Sequence, residues 1–591
     1  MKQTWIKKLR WGLVAALAVF GLSHRGSAAP VIEPAPLQVS RWFSERVAEV
    51  RLESGVRLVY VLPNALRPGR RLRLVFYTIP NGNSCEQTLG AAKDGVLDWR
   101  FDIQHVGAQI RRLRALRPDE NIALVIAEAD GYSWPAWRQK QGAEAPRQAL
   151  ACLAYARASL GRTPDVIDLA AHSGGGSFLW CILESPGGIP HDIERITFLD
   201  ANYSFSDEAG HTQEFQRWLA GDPARRLTVL SYDDREVMLD GKPIVSPTGG
   251  TYRATERMAG ALKARGRSLE ESHVEGRRRW VDERGAVMFE VTDNPDRKIL
   301  HTVLVGEWNG LLHGETVGGP QAASWGRYGP PRAYLEWIAP SPYQTPVMAS
   351  TAAPPAGSRF LEQLAQLPFL EREAEIIRQI CGTGSPRILW NWHPVTIRAK
   401  GADNLEHTAV FEVTPDYIGV GTETDWARVP MTPMAAQRIA DHFRADLPTT
   451  RLADAIWEAA ELKLDPRPLT FQRESPLSFL LHDQIIDQQR GSDRPKSLVA
   501  GIKKDLVLTN RLREQPNKVA IYGWHYPNGA PIQPLTIVHR DTYVDYSHGV
   551  RLVRRRVLVD GKEHDYRDLL TDPVLHPLVS GEGPISAPRY P

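Results

Sequence analysis

From Ser44 to Trp308 the chain alternates short apolar runs with stretches in which small apolar residues recur every three or four positions. The runs RLRLVFYTIP (Arg71–Pro80), NIALVIAEAD (Asn121–Asp130), DVIDLAAH (Asp165–His172), RITFLDA (Arg195–Ala201), RLTVLSYDD (Arg226–Asp234) and ILHTVLVGEW (Ile299–Trp308) read as strands. Between the second and third, PRQALACLAYARASLG carries the three- and four-residue spacing of a helix that Gly161 ends. Strands alternating with helices predict an α/β fold: a mostly parallel sheet with helices on both faces and ligands at the carboxyl ends of the strands. The earlier segments SERVAEVRLES and RLVYVLPNA have the look of antiparallel strands that edge such a sheet.

That pattern stops at IAPSPYQTPVMASTAAPPAGS (Ile338–Ser358), which is rich in Pro, Ala, Ser and Thr and has neither charge nor apolar period. It is expected to be a linker, dividing the chain into a domain over 30–337 and a second over 359–591. At 591 residues the chain is too long for one core, and both parts have ordinary domain size. The second part opens on the helical stretches FLEQLAQLPFLEREAEIIRQI and MAAQRIADHFRADL and turns β-like towards its end, which predicts an α+β domain.

Composition narrows the partners. A formal charge of +3, with 24% charged residues, gives no basis for binding nucleic acid or an anionic membrane surface. Residues 1–29 have Lys2, Lys7, Lys8 and Arg10, then an apolar stretch from Trp11 to Leu22, then small residues around Ser27 to Ala29. This is the layout of a secretory signal peptide, and the apolar stretch is short of the roughly 20 residues of a membrane span. The expectation is a secreted or periplasmic protein with no stable membrane insertion after cleavage, an uncleaved anchor being the alternative. Export would place Cys85, Cys152, Cys181 and Cys381 where disulfides form. Cys152 and Cys181 lie on helices before and after one strand and would bridge only if those helices share a sheet face.

The chemistry concentrates at DVIDLAAHSGGGSFLW, a strand running into a glycine-rich turn and a helix, with Ser173 at the bend. A serine hydroxyl becomes a nucleophile only beside a base, an acid that orients the base, and donors aimed at the oxyanion. A tight strand-to-helix turn with small neighbours exposes such a serine, usually as Gly-x-Ser-x-Gly. Here Ala171-His172-Ser173-Gly174-Gly175 puts Ala at the first small position and keeps the steric logic. Neither the Walker spacing nor Gly-x-Gly-x-x-Gly is present. With the strand order around it, this stretch resembles the α/β-hydrolase superfamily over about 41–337.

The resemblance implies the chain order Ser, then Asp or Glu, then His. His313, in the glycine-rich GEWNGLLHGETVGG after the last expected strand, is the preferred base; His301 and His273 fall within or before that strand. Asp234 is the preferred acid, over its neighbour Asp233, with Asp200 in FLDANY the alternative. The oxyanion donors implied are the Gly174 N–H and one from PNGN, where Gly82 and Asn83 are the candidates. His172, Glu128, Trp134 and Trp137 are placed around the substrate pocket, and SFSDEAGHTQEFQRWLAG is a candidate cap.

The second part resembles no characterised family. RILWNWHPVTI, KVAIYGWHYPNGAPIQPL and TIVHRDTYVDYSHGVRLV hold a candidate second site of His393, His525, His539, Asp545 and His548. On an extended strand His539, Asp541, Tyr543 and Asp545 would share a face. Acid/base or metal chemistry, a polymer-binding surface, and a structural brace all fit those residues. The expectation for the whole is an exported serine hydrolase that cleaves an ester, or in second place an amide, of a small molecule or polymer. It would act through an acyl-enzyme with no metal or organic cofactor. The alternative puts catalysis or polymer binding in the second part, with the first accessory.

Overall fold

A computed structural model describes residues 37–40, 42–322, 324–344, 353–491 and 497–590. The expected signal peptide and the middle of the expected linker, residues 345–352, lie outside them.

An eleven-stranded sheet organises the first part. Its strands are β1 (Gln38–Val39), β2 (Glu45–Arg51), β3 (Arg57–Pro63), β4 (Leu72–Thr78), β5 (Asn121–Glu128), β6 (Val166–His172), β7 (Ile193–Leu199), β8 (Arg226–Tyr232), β9 (Glu270–Val274), β10 (Arg277–Val281) and β11 (Val287–Thr292). Their order across the sheet is β1-β2-β3-β5-β4-β6-β7-β8-β11-β10-β9. From β5 to β11 neighbouring strands are parallel; β1–β3 at one edge and β9–β10 at the other are antiparallel. This fits an α/β-hydrolase-like region. Alternation along β4 shows why both faces are dry: Leu74 and Phe76 enter one core with the helices Ala145–Ala158 and Gly176–Leu183. Val75 and Tyr77 enter the other, against the helices Val106–Leu116 and Gly310–Thr316.

Two sequence expectations are corrected. Ile299–Trp308 is not a strand; it folds back in turns closed by Leu304 N–H to the Leu300 carbonyl and Gly306 N–H to the Thr302 carbonyl. Its apolar side chains Leu304 and Val305 are buried without joining a ladder. The last parallel strand is instead β11, paired along its length with β8. The candidate cap is a crossover helix, His211–Gly221, whose Phe215 and Trp218 are buried and whose Trp218 indole N–H donates to the Ile193 carbonyl at 2.9 Å.

The second part has its own core, built from helices such as Phe369–Cys381, Pro433–His442 and Thr450–Ala459 and strands such as His393–Lys400 and Glu406–Val413. Ala91, Leu97 and Phe101 of the first part are members of that core, and residues 34–591 make one compact unit. All four cysteines are buried free thiols. Among the described residues no helix is long and apolar enough to cross a membrane.

Candidate active site

The sheet order reverses between β4 and β6, since the chain runs from β4 out to β5 and then crosses to β6 on the other side. At such a switch point the loops after two neighbouring strands diverge and leave a crevice. Ser173 stands there, directly after β6, with φ +54°, before the helix Gly176–Leu183. A left-handed serine is strained, and the surroundings must hold it. Thr78 Oγ1, at the end of β4, donates to the Gly175 carbonyl at 3.0 Å. On the other side Gly176 meets the chain leaving β7 so closely that a β-carbon would sit 1.8 Å from the Ala201 carbonyl oxygen. The turn is therefore clamped between the ends of two flanking strands, which accounts for the small residues after the serine.

Asp200 leaves β7 with a second left-handed backbone, φ +47°, and its N–H donates to the Leu230 carbonyl at 2.7 Å. Its carboxylate is buried, accepts from the Thr251 hydroxyl, and lies 2.5 Å from His301 Nδ1. His301 occupies the loop after β11, with about a quarter of its side chain exposed (26%). With Nδ1–H donated to Asp200, Nε2 keeps a free lone pair. The His301 carbonyl accepts from His172 Nε2 at 2.9 Å, and the two rings are 4.6 Å apart. His172 immediately precedes Ser173, so the His301–Asp200 pair is brought beside the elbow. Burial, reinforced by the nearby His301, holds His172 well below the usual histidine range. His172 is thus a neutral donor that anchors the His301 loop.

The other expected residues are placed differently. His313 is not in a loop but within the helix Gly310–Thr316, stacked 5.1 Å from Tyr328. Burial, with Arg279 and Arg277 nearby, pushes it down to about 3, and its Nε2 has no hydrogen-bond partner. His273 is on β9, bonded to Asp293 at 2.8 Å. Asp234 accepts the Thr251 N–H at 2.7 Å, at the start of the helix Thr251–Ala264. Burial, then the charge of Asp200, raises Asp234 to about 6. Asp233 is paired with Arg235 at 2.7 Å.

Gly82 has its N–H committed to the Tyr132 carbonyl at 2.8 Å, which removes it as an oxyanion donor; Asn83 follows it, ahead of the Ser84 helix cap. Trp134 and Trp137 are core residues, not a ligand platform. Their indole N–H groups donate to the Ile79 and Ser54 carbonyls, and both rings pack on Phe178. Glu128 is ion-paired to Arg57 at 3.1 Å and accepts the Cys85 N–H. Both line a cavity of about 360 Å³ that also involves Tyr132, Arg473 and Glu474.

In the second part the structure gathers only some of the candidates. His539 and Tyr543 stack at 4.0 Å, and the Tyr543 hydroxyl donates to Asp545 at 3.0 Å. Arg473 also reaches Asp545, at 2.9 Å, and His548 Nε2 lies 3.9 Å from it. These contacts come from turns, not from one face of a strand. His393 opens a strand of a different sheet, and His525 pairs with Asp454 at 2.9 Å. Among the described residues no group of three or more His, Cys, Asp or Glu is arranged to hold a metal ion.

No family model and no curated protein matches this chain. Solved structures similar to it include esterases and a predicted hydrolase. A thermostable esterase matches at 12% identity and TM-score 0.28, over 48% of this chain and 62% of that one, so less than two thirds of its length is spanned. The feruloyl esterase module from Clostridium thermocellum, solved as an S954A mutant complexed with sinapinate, matches at 11% and 0.27, over 48% of this chain and 93% of that one. A glucuronoyl esterase from Solibacter usitatus matches at 10% and 0.25, over 46% and 83%.

Proposed function

We propose that this protein is a serine hydrolase that cleaves a carboxylic ester with Ser173 as nucleophile, His301 as base and Asp200 as the acid that orients it. The observation that carries the reading is the 2.5 Å bond from His301 to Asp200, set beside the left-handed Ser173 turn at the switch point. Ser173 Oγ adds to the ester carbonyl carbon while its proton passes to His301 Nε2, and the buried Asp200 carboxylate stabilises the imidazolium that forms. The Gly174 N–H takes the developing oxyanion. Collapse of the adduct expels the alcohol, which leaves with the His301 proton, and an acyl-serine remains. Water activated by the same nitrogen then releases the acid. An alkoxide is a far better leaving group than an amine nitrogen, which favours an ester over an amide. Residues 1–29 fit the reading that this hydrolase is exported.

The test is fluorophosphonate labelling of the wild type, Ser173→Ala, His301→Gln and His313→Gln, with hydrolysis of a panel of short p-nitrophenyl esters. Labelling and turnover should vanish in Ser173→Ala, with kcat/KM down by about 10⁴-fold or more, and collapse in His301→Gln. His313→Gln should stay within a few-fold of wild type. An active, labelled His301→Gln would overturn the assignment of the base.

A further inference from the structure

The residues that could stabilise the oxyanion extend past the Gly174 N–H to a side chain. The loop after β4 runs Ile79-Pro80-Asn81-Gly82-Asn83 and is held at three points. Asn81 Oδ1 accepts the Trp134 backbone N–H at 3.0 Å; the Gly82 N–H donates to the Tyr132 carbonyl at 2.8 Å; Arg540 of the second part donates to the Gly82 carbonyl at 3.3 Å. The Arg540 guanidinium also lies 5.6 Å over the Tyr132 ring. The first bond fixes which way the Asn81 amide points, because only its oxygen can accept from an N–H. Nδ2, with two hydrogens, becomes the free end.

The amide lies against the nucleophile turn. A β-carbon built on Gly174 would stand 2.2 Å from Asn81 Cγ, 2.2 Å from Nδ2 and 2.3 Å from Oδ1, so the flat of the amide faces it. The carboxamide therefore packs directly on the backbone of the residue that follows Ser173, and only glycine leaves it room. Asn81 itself is exposed, so this contact forms part of the open mouth of the site. We propose that Asn81 Nδ2 is a catalytic oxyanion donor, acting with the Gly174 N–H. This inference rests on the serine-hydrolase reading above. A tetrahedral adduct at Ser173 carries its negative oxygen next to the Gly174 N–H, and Nδ2 is the neighbouring donor left without a fixed partner by the loop's own bonds. Its bond strengthens as the carbonyl oxygen gains charge, so removing it lowers kcat and leaves KM nearly unchanged.

The decisive comparison is Asn81→Asp with Asn81→Ala. Aspartate keeps the shape and still accepts from Trp134 N–H, but it replaces the donor by a charged oxygen that repels the oxyanion. Alanine removes both functions. If Asn81 is a donor, both variants lose about 10²- to 10³-fold in kcat, with KM within a few-fold of wild type. Affinity for a trifluoromethyl ketone analogue should fall with kcat, and thermal midpoints should stay close to wild type. If Asn81 only anchors the loop, Asn81→Asp stays active while Asn81→Ala does not, and the inference is overturned. Wild-type turnover in both variants overturns it as well. A wild type that fluorophosphonate does not label sinks the serine-hydrolase reading itself, which separates the two failures.

Discussion

His301 in the first part and His548 in the second each stand beside one aspartate, and the two aspartates treat them in opposite ways. Asp200 accepts from Thr251 and from His301, so one of its oxygens is spent on orienting the ring. Asp545 is saturated without its histidine: Oδ1 accepts the Ser547 N–H and hydroxyl, and Oδ2 accepts from Arg473 and Tyr543. His548 is left 3.9 Å away, too far for a direct bond, with neither ring nitrogen hydrogen-bonded. Burial pulls it down to about 4, so near neutral pH it is uncharged and enclosed. His301 keeps a free nitrogen at the surface of a crevice. The lesson is that histidines crowded beside carboxylates in sequence mark a hydrogen-bonded brace here. The pair proposed as base and acid is 101 residues apart and is assembled from the ends of and loops after parallel strands.

The largest effect that would break this comparison is at the acid. Asp200→Asn loses the carboxylate acceptor that holds His301 in its tautomer, and kcat/KM should drop by about 10²- to 10⁴-fold with little change in KM. Asp234→Asn should cost less than about tenfold, since Asn can still accept the Thr251 N–H. Steady-state kinetics on one ester substrate decides between them. A severe loss in Asp234→Asn with an active Asp200→Asn would reverse the roles assigned to the two carboxylates.

Most of the sheet was legible in the sequence because β3 to β8 are mostly apolar runs flanked by turn residues. The elbow was legible for the same reason, since small residues are the steric signature of a strand-to-helix turn. The histidine proposed as base was passed over through one strand. ILHTVLVGEW has the apolar density of a strand but satisfies its backbone in turns, while AVMFEVTD, the true last parallel strand, went unread. With the strand set too late, His301 looked interior and His313 looked like the loop residue beyond it. Once β11 ends at Thr292, His301 is the histidine of the following loop. Trp134 and Trp137 misled differently: Pro and Ala between them suggested a loop platform, yet both rings are spent on packing and carbonyl bonds. Asn81 carried no signal of its own, because its role depends on a contact with Gly174 that only the folded chain makes.

A smaller effect should appear on the other side of the comparison. If Asp545 is a brace, Asp545→Asn weakens the bonds from Ser547, Tyr543 and the half-exposed Arg473, costing about 1–3 kcal/mol in urea unfolding. Turnover per folded molecule should stay near wild type, because Ser173, His301 and Asp200 are untouched. Loss of ester turnover in a variant that is fully folded and still labelled at Ser173 would show instead that the second part contributes chemistry.

The smallest effect concerns Lys503, which is buried next to that brace. Its Nζ donates to the Tyr546 carbonyl and to His482 Nδ1 at 3.1 Å, and burial, only partly offset by Asp483, brings it down to about 7. A lysine in the unfolded chain titrates near pH 10.4, so between about 7 and 10 the unfolded chain holds a proton that the folded chain has released. Stability attributable to this group therefore rises with pH in that window and is lowest below it. The wild type should gain about 1 kcal/mol on Lys503→Met between pH 7 and 8, read as a shift in the difference of their urea midpoints. A difference that stays flat with pH would mean that Lys503 remains charged in the fold. It would then be a buried cation stabilised by the charge of Asp483.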